Sequence, residues 1–244
     1  MVSCTRCHSN QTVKNGKTHS GTQSYRCRHC GKQFVLNPKK GPIPRETKEI
    51  IHRMLLERVS LAGIARVTGV SERWLQTYVN ETYEKTSKSV SPAAIESLRD
   101  HGNKKKIEIQ GDELWSFVGK KKIKQWVWLA IEKESRVIVG VYIGDRGGQA
   151  AKNLWNNIPE VLKERCLIVY TDFWKAYVEA VAKEKHLRCG KETGLTNYIE
   201  RFNNTLRQRC SRLVRMALSF SKKIENHIGA IWLFIHHYNE TKLS

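Results

Sequence analysis

The chain has 244 residues and a formal net charge of +20, and its basic residues are spread along its whole length. Residues 1–100 carry 17 basic against 8 acidic side chains, and residues 101–244 carry 26 against 15. A charge of this size favours nucleic acid over an anionic membrane surface as partner, and no apolar run approaches the roughly 20 residues that cross a bilayer. Without a leader-like segment at the start, we expect a cytoplasmic protein with a catalytic core and one or two small modules.

Four of the seven cysteines form two pairs of the Cys-x-x-Cys type near the N-terminus. Two such pairs can surround Zn²⁺ with four thiolates, whereas a redox site would need only one pair, on a strand-to-helix turn. Because residues 1–36 hold too few apolar side chains for a core of their own, we predict a zinc ribbon or finger with one structural ion. Its predicted ligands are Cys4, Cys7, Cys27 and Cys30, and the cysteines expected to be buried elsewhere are Cys166, Cys189 and Cys210.

A helical spacing of apolar residues begins after a linker rich in proline and glycine at 37–44. The spacing predicts a first helix from Glu46. A second helix is predicted at 61–67 with Ser60 as its cap, and a third begins after the cap residue Ser71. The inner face of the first helix holds Ile50, Ile51, Met54 and Leu55.

Two short helices joined by a glycine-containing turn, after a packing helix, are typical of a helix-turn-helix module, which we place at 45–84. The alternative is an ordinary helical hairpin without a role in DNA binding. The basic charge and the adjacent zinc module favour DNA binding, with the third helix as the recognition helix. Candidate groove contacts on its outward face are Arg73, Gln76 and Thr77.

A linker is expected at 85–105, and a domain with a different pattern at 106–244. Three segments of strand length joined by polar turns predict three hairpin-connected strands, and a fourth strand follows a helix. The order β-β-β-α-β-α, a short strand, then α is the plan of a ribonuclease H-like α/β domain with a mixed sheet. The predicted strands are 107–118, 125–131, 137–143, 167–170 and a short one near Leu187, and the predicted helices are 149–162, 173–183, 196–216 and 228–238.

Three carboxylates are expected to meet at one point in this plan. Asp112 lies on the first strand, Asp172 follows the fourth strand, and Glu200 lies on the long basic helix. Helical spacing places Glu200 at the edge of the face that packs on the sheet. On its local segment alone, Asp172 would be interpreted as a turn or cap residue.

Glu113 is the alternative to Asp112 on the first strand. Strand alternation puts the two side chains on opposite faces of the sheet, so only one of them is expected to join the site. Around the middle acid, we expect the aromatic side chains of Phe173, Trp174 and Tyr177 to pack and hold the carboxylate in place.

Four long segments allow a comparison with a known family: Gly111-Asp-Glu-Leu-Trp-Ser-Phe-Val, Tyr170-Thr-Asp-Phe-Trp-Lys-Ala-Tyr, Ile199-Glu-Arg-Phe-Asn-Asn-Thr-Leu-Arg-Gln-Arg and Arg212-Leu-Val-Arg-Met-Ala-Leu-Ser-Phe-Ser-Lys. They resemble the catalytic blocks of the transposases of insertion sequence one. The cysteine pairs and the helix-turn-helix match that family too, so the resemblance covers nearly the whole chain. It implies a DDE DNA transposase with Asp112, Asp172 and Glu200 as its acids and Arg207 as the basic residue that follows the glutamate. Only 27 residues separate Asp172 from Glu200, which leaves little room for an insertion domain.

The resemblance implies phosphodiester chemistry with two Mg²⁺ ions, or Mn²⁺, because these hard cations prefer carboxylate oxygen ligands. Water would free a 3′-hydroxyl at each element end, and that hydroxyl would then attack target DNA. The implied partner is double-stranded DNA, both the terminal inverted repeats and the target, and holding two ends together implies a homodimer or a higher oligomer. The expected location is the prokaryotic cytoplasm, at the nucleoid. Further phosphate contacts are expected from Arg201, Arg212 and Arg215.

Two other functions stay open at this level. A catalytically inactive DNA-binding regulator would share the zinc and helix-turn-helix modules, although three intact acids count against it. A nuclease of the same fold without a strand-transfer step would share every motif given above.

Overall fold

The structure, a computed structural model, describes residues 2–36, 41–100, 106–213 and 221–243. The chain forms two compact units, Met1–Arg45 and Glu46–Ser244. Within the described ranges, no helix is both long enough and apolar enough to cross a membrane.

The first unit is a small three-stranded antiparallel sheet. Its strands are β1 (Thr12–Lys17), β2 (Gln23–Cys27) and β3 (Gln33–Val35), in the order β1-β2-β3. The buried side chains are few, namely two cysteines and Phe34, whose ring stacks on Tyr25 with the ring centroids 5.9 Å apart. A core this small cannot stabilise a fold by apolar burial alone, which fits the prediction that this module depends on a metal.

Four helices open the second unit: α1 (Arg45–Leu55), α2 (Leu61–Thr68), α3 (Glu72–Lys85) and α4 (Pro92–Asp100). The predicted caps are confirmed, since the Ser60 Oγ accepts a hydrogen bond from the Gly63 N–H at 3.1 Å and the Ser71 Oγ accepts one from the Trp74 N–H at 3.3 Å. Gly69, at φ 69°, ends α2 in the left-handed conformation that glycine adopts without strain.

The inner faces of these helices differ in part from the prediction. Ile51 is fully buried on α1, but Ile50 is 40% exposed and does not line the packed face. On α3 the buried side chains are Leu75, Val79 and Tyr83. The buried stripe of α3 therefore runs from Leu75 to Tyr83, within the module predicted at 45–84.

The second unit is built on a five-stranded mixed sheet with the strand order β6-β5-β4-β7-β8. The first three strands in the chain pair antiparallel, β7 runs parallel to β4, and β8 runs parallel to β7. This is the predicted ribonuclease H-like arrangement, including the short fifth strand. The strands are β4 (Ile107–Phe117), β5 (Lys124–Glu132), β6 (Ile138–Gly144), β7 (Cys166–Thr171) and β8 (His186–Arg188).

Helices cover the sheet: α5 (Gly148–Asn157), α6 (Glu160–Arg165), α7 (Asn197–Arg209) and α8 (Ile224–Leu243). α5 contacts β5 and β6, α7 contacts β4 and β5, and α8 contacts β6. Pro159 lies between α5 and α6 and interrupts the helix. The prediction of one continuous helix at 149–162 is therefore wrong.

The final helix α8 is part of the core and not an exposed assembly surface. Asn239 on α8 is buried, with its side chain hydrogen-bonded to both the N–H and the carbonyl of Ile138 on β6 at 2.9 and 3.0 Å. The other side of α8 packs on α3, where Gly229 lies against the backbone of Tyr83. Helix α3 and the mixed sheet are therefore joined through α8 within one compact unit.

Two predicted helices are wrong in extent. Residues 173–183 form a short 3₁₀ turn at Lys175–Glu179, and a second turn follows at Lys183–Lys185. The connection has to lead from the end of β7 to the start of the parallel strand β8, and a 3₁₀ turn covers more distance per residue than an α-helix does. The long basic helix ends at Arg209, because Cys210 is extended; residues 214–216 of that prediction lie outside the described residues.

Candidate active site

A cavity of about 570 Å³ brings together the three acids that the sequence singled out. Asp112 comes from β4, Asp172 follows the end of β7, and Glu200 lies in the first turn of α7. The three acids are carried by a strand, by the end of a strand and by a helix. Their relative positions are therefore fixed by the packing of α7 on the sheet. Glu113, Arg146 and Lys191 also line this cavity.

Asp112 is half-buried, and its Oδ2 accepts a hydrogen bond of 2.7 Å from the Asn203 Nδ2 on α7. Burial raises the pKa of the Asp112 carboxyl to about 7, and the negative charges of Glu113 and Asp172 add to the effect. The cavity also holds more carboxylates than cationic side chains, four against two. Asn203 was not predicted as a site residue, although it lies on the same helical stripe as Glu200.

Asp172 and Glu200 each have one oxygen held by a neighbouring group. The Asp172 Oδ1 accepts a hydrogen bond from the Trp174 N–H at 2.9 Å, which is the turn contact expected of an aspartate at a strand end. The Glu200 Oε1 accepts one from the Thr196 Oγ1 at 2.9 Å. A carboxylate in the first turn of a helix is further stabilised by the helix dipole.

Gln110 connects the strand of one acid to the helix of another. This residue is fully buried on β4, and its Oε1 accepts hydrogen bonds from the N–H groups of Tyr198 and Ile199 at 3.1 and 3.0 Å. Both donors belong to the first turn of α7, where N–H groups have no partner within the helix. The amide of Gln110 thus fixes the start of α7 against β4, two residues away from Asp112.

Glu113 is engaged by protein donors on both oxygens. Its Oε1 accepts hydrogen bonds from the Arg146 Nε and Nη2 at 3.0 and 2.7 Å, and its Oε2 accepts one from the Tyr177 hydroxyl at 2.9 Å. Asp112 contacts α7 through its Oδ2 and leaves the strand in a different direction from Glu113, as alternation predicts. Both side chains nevertheless line the cavity, so the expectation that only one of them joins the site is wrong. Glu113, however, has protein donors on both of its oxygens. This leaves Asp112 as the better ligand candidate of the two.

Arg146 is the main cavity residue that the sequence did not indicate. Its guanidinium lies 4.3 Å from the ring centroid of Trp126 and 4.1 Å from that of Trp174, besides pairing with Glu113. The residue stands in an irregular turn after β6, where no period marks a functional side chain. Lys191, also in the cavity, was missed for the same reason.

The aromatic packing predicted around Asp172 is correct only for Tyr177, which is 2% exposed. Phe173 is 63% exposed at the cavity, and Trp174 is 36% exposed with one face on Arg146. Because the segment is not an α-helix, its side chains do not follow the helical stripe that the prediction assumed.

The remaining candidates are spread over the second unit. Arg207 is partly buried two turns beyond Glu200 and is not among the described residues that line the cavity, whereas Arg201 is exposed on α7. Arg212 is half-buried beside Tyr83, whose pKa burial raises to about 12 while the charge of Arg212 opposes the rise. Arg215 lies outside the described residues. The recognition-helix candidates Arg73, Gln76 and Thr77 are all exposed on α3.

The four N-terminal cysteines form a metal-type cluster, with their sulfur atoms all within 4.8 Å of one another. The Sγ atoms of Cys4 and Cys30 are 3.6 Å apart, and so are those of Cys7 and Cys27. Four thiolates at about 2.3 Å from Zn²⁺ in a tetrahedron would be about 3.8 Å from one another, so the cluster fits this ion. Backbone N–H groups, chiefly that of Cys7, lower the pKa of the Cys4 thiol to about 6, whereas burial and the neighbouring thiols raise the pKa of Cys7 to about 12.

Comparisons with known proteins match both units. Residues 107–239 match the family model of the IS1 transposase, and residues 1–31 match that of the InsA N-terminal domain, a zinc ribbon. The insertion element iso-IS1n protein InsB of Shigella dysenteriae is 35% identical over 51% of this chain and 90% of its own length. The insertion element IS1 4 protein InsB of Escherichia coli K12 is 29% identical over 62% and 88%.

Among solved structures, the Mos1 strand transfer complex is similar over 84% of this chain and 82% of its own, at 9% identity and a TM-score of 0.25, too low to bear on the fold. The family model, by contrast, spans more than half of the chain and contains all three acids of the cavity. The chain belongs to the IS1 transposase family, with a zinc ribbon ahead of its DDE domain.

Proposed function

We propose that this transposase binds the terminal inverted repeats of an insertion sequence, cleaves at the 3′ ends of the element and joins them to target DNA. The observation that carries the proposal is the cavity where Asp112, Asp172 and Glu200 meet from a strand, a strand end and a helix. Four carboxylates line this cavity against two cationic side chains, Arg146 and Lys191, and this balance of charge suits a site that takes divalent cations.

The donor set fits two Mg²⁺ ions, or Mn²⁺, because all three candidate ligands are carboxylates. Among the described residues, only the four cysteines bring three or more ligand atoms within 4.8 Å of one another, so the carboxylates surround the cavity at larger separations. Ions that retain several water ligands tolerate such spacing, and a volume of about 570 Å³ leaves room for a phosphate group. Bound there, the ions would neutralise charge on the phosphate and make water acidic enough to attack near neutral pH.

The chain's own residues would orient the DNA. Arg146 is held rigidly by Glu113 and two indole rings, so its guanidinium enters the cavity without a large loss of rotamer entropy. Lys191 adds a second positive charge at the cavity. Hydrolysis at the element end would free a 3′-hydroxyl, and attack by that hydroxyl on target DNA would form the new phosphodiester while the target strand leaves with its own 3′-oxygen.

DNA binding outside the cavity is assigned to the helix-turn-helix, with Arg73, Gln76 and Thr77 exposed on α3 for groove contacts. Arg201 is exposed on α7 for a phosphate contact, and Arg207 is kept as the basic residue beyond Glu200. Two element ends must be held together for joining, so the active form is proposed as a dimer or a higher oligomer. With DNA as the substrate, the proposed place of action is the nucleoid of a prokaryotic cell.

The test is an assay with labelled inverted-repeat ends of the element, a supercoiled target plasmid and Mg²⁺. The wild type is compared with Asp172→Ala, which removes one acid, and with Asp145→Ala, which removes an exposed carboxylate after β6 that does not line the cavity. Joined products are expected with the wild type and with Asp145→Ala, and neither nicks nor joined products with Asp172→Ala.

The outcomes separate the three functions that the sequence left open. Nicking without joining by the wild type would indicate a nuclease. Sequence-specific binding without cleavage, in Mg²⁺ and in Mn²⁺, would indicate a catalytically inactive regulator and would exclude the transposase mechanism for this chain.

A further inference from the structure

A second polar cavity, of about 630 Å³, lies between the helix-turn-helix and the segment that leads into α8. Its helix-turn-helix wall consists of the N-terminus of α2 and one face of α3, including Gln76. Its other wall consists of Arg212 and of residues 221–223, which precede α8. The cavity is separate from the one that holds the three acids, since the two share no lining residue.

The charges that line this cavity are all positive. Arg212, Lys222 and Lys223 contribute to it, and no described residue of its lining is acidic. The catalytic cavity has the opposite character, with four carboxylates among its lining residues. The two exposed lysines repel each other, and an anion bound beside them would relieve that repulsion.

The N-terminus of α2 adds unpaired donors to the same cavity. Leu61 and Ala62 both line it, and as the first two residues of the helix they have N–H groups without a partner in the helical pattern. The Ser60 Oγ satisfies the N–H of Gly63 instead, and no acidic residue stands in the first turn of α2. Backbone N–H groups in this arrangement favour a bound anion.

Ser221 supplies the independent sign of a ligand. This residue lines the cavity and is 1% exposed, and its Oγ has no hydrogen-bond partner in the part of the chain that the structure describes. Its backbone is fixed, because its carbonyl accepts a hydrogen bond from the Gly119 N–H at 2.8 Å. A buried hydroxyl without a partner costs free energy, which a ligand oxygen accepting its hydrogen bond would recover.

We propose that this cavity binds one backbone phosphate of duplex DNA, held from one side by the α2 N-terminus and from the other by Ser221, Lys222 and Lys223. The proposal rests on the proposed function, since it assumes that DNA is the substrate. DNA is favoured over a free anion because Gln76, a candidate groove contact, lines the same cavity. In helix-turn-helix complexes, the helix before the recognition helix meets the sugar-phosphate backbone.

The two walls are also tied together, as a shared phosphate site requires. The Asn80 Oδ1 on α3 accepts hydrogen bonds from the Gln76 Nε2 at 2.9 Å and from the Asn226 Nδ2 on α8 at 3.0 Å. A phosphate in the cavity would therefore contact both the DNA-reading helices and the segment that enters the catalytic domain. The duplex would be held at a fixed angle to the second unit.

The test measures binding of a duplex that carries the element's terminal repeat at several salt concentrations, using the full-length protein. The double variant Lys222→Gln with Lys223→Gln removes two exposed charges of the cavity, and Ser221→Ala removes only the hydroxyl. The matched control, Lys121→Gln with Lys183→Gln, also removes two exposed charges, and neither of these residues lines the cavity. Thermal melting of each variant verifies the fold.

We expect the lysine double variant to bind about tenfold or more weakly than the control, with a slope of log K against log salt that is smaller by about 1 to 2. Ser221→Ala should weaken binding by about threefold to tenfold without changing that slope, because it removes a neutral donor. A set of duplexes, each with one phosphate replaced by a neutral methylphosphonate, should contain one position at which the replacement weakens binding by the wild type and does not change binding by the lysine variant.

Equal losses in the control and the cavity variant would overturn the proposal, since they would show only long-range charge effects. The proposal would also be overturned if the same methylphosphonate weakened binding by the lysine variant. It would be overturned as well if inorganic phosphate bound in the cavity and DNA did not displace it. A cleavage assay at saturating protein distinguishes failure of the proposed function from failure of the phosphate site. A wild type that never cleaves DNA contradicts the proposed function, whereas a wild type that cleaves while the cavity variants bind normally contradicts only this phosphate site.

Discussion

Replacing Asp112 with asparagine is expected to stabilise the Mg²⁺-free protein above neutral pH. Burial raises the pKa of this carboxyl from 3.8 to about 7, so the folded state holds the proton more tightly than the unfolded state does. The free energy of unfolding therefore falls as pH rises from about 4 to about 7 and stays low above that range. Asparagine has no charge to bury, and its carbonyl oxygen still accepts the hydrogen bond from Asn203.

The size of the effect follows from the shift. A pKa displaced from 3.8 to about 7 corresponds to at most about 4 kcal/mol at pH 8. The side chain is only half-buried, and water screens part of the penalty, so we expect a gain of about 2 kcal/mol for Asp112→Asn. At pH 5 the gain should be less than half of this value, because most of the wild-type carboxyl is still protonated in the folded state.

Urea unfolding followed by tryptophan fluorescence measures this gain, on protein dialysed free of Mg²⁺ with its zinc left in place. All seven tryptophans lie in Glu46–Ser244, so the signal reports on that unit alone. The control, Asp145→Asn, alters an exposed carboxylate and should change stability by no more than about 0.5 kcal/mol. A variant Asp112→Asn that is no more stable than the wild type at pH 8, or a gain that does not depend on pH, would refute the reasoning.

Three further changes test other contacts. Gly229→Ala should destabilise the protein by about 2 to 3 kcal/mol in urea unfolding, because the new Cβ would lie 2.4 Å from the Tyr83 Cβ and 2.8 Å from its carbonyl oxygen; an unchanged midpoint would contradict the close packing of α8 on α3. Tyr177→Phe should cost about 1 to 2 kcal/mol by leaving the Glu113 Oε2 without its donor, and a neutral result would show that water replaces the hydroxyl. Cys27→Ala should reduce bound zinc, measured by atomic absorption, from one ion per chain to nearly none, while the tryptophan-detected unfolding midpoint stays the same; retained zinc would rule out the four-thiolate site.

The parts of the fold that were predicted correctly depend on local signals. Ser60 and Ser71 cap helices through hydrogen bonds to N–H groups three residues ahead, and Gly69 ends a helix by its own conformational freedom. Strand alternation and hairpin turns likewise act over a few residues, which is why the order of the five strands could be predicted. The cysteine pairs needed only their spacing to indicate a metal cluster.

The connection after β7 was mispredicted because distant contacts decide its conformation. The segment 173–183 has helical composition, but the Tyr177 hydroxyl has to reach Glu113 on β4, and the chain has to return to the parallel strand β8. The Asp172 carboxylate bonds to the Trp174 N–H and turns the chain immediately. Intrinsic helix propensity is worth a few tenths of a kcal/mol per residue, which such tertiary contacts override.

The candidate site was predictable in its acids and not in the residues around them. Asp112, Asp172 and Glu200 stand at positions that the strand order brings together. The Arg146 side chain is held by two indole rings and a carboxylate that come together only in the folded protein. No spacing in the sequence therefore indicated that Arg146 belongs to the site. Asn203 differs from Arg146, because its place on the helical stripe of Glu200 was a usable signal, although only the folded protein shows its contact with Asp112.

The hydrogen bonds between the Gln110 side chain and the first turn of α7 form a bridge that makes the geometry of the site independent of the length of the loop before α7. Because that bridge joins β4 directly to the helix, the distance between the strand acid and the helix acid does not depend on how many residues connect β8 to α7. The exposed 3₁₀ turn at Lys191–Thr193 could lengthen, over evolution or by engineering, without displacing Glu200. The 27 residues between Asp172 and Glu200 include this loop, so their number can grow there, and a reporter or an extra domain could be inserted in the loop while Glu200 keeps its position relative to Asp112.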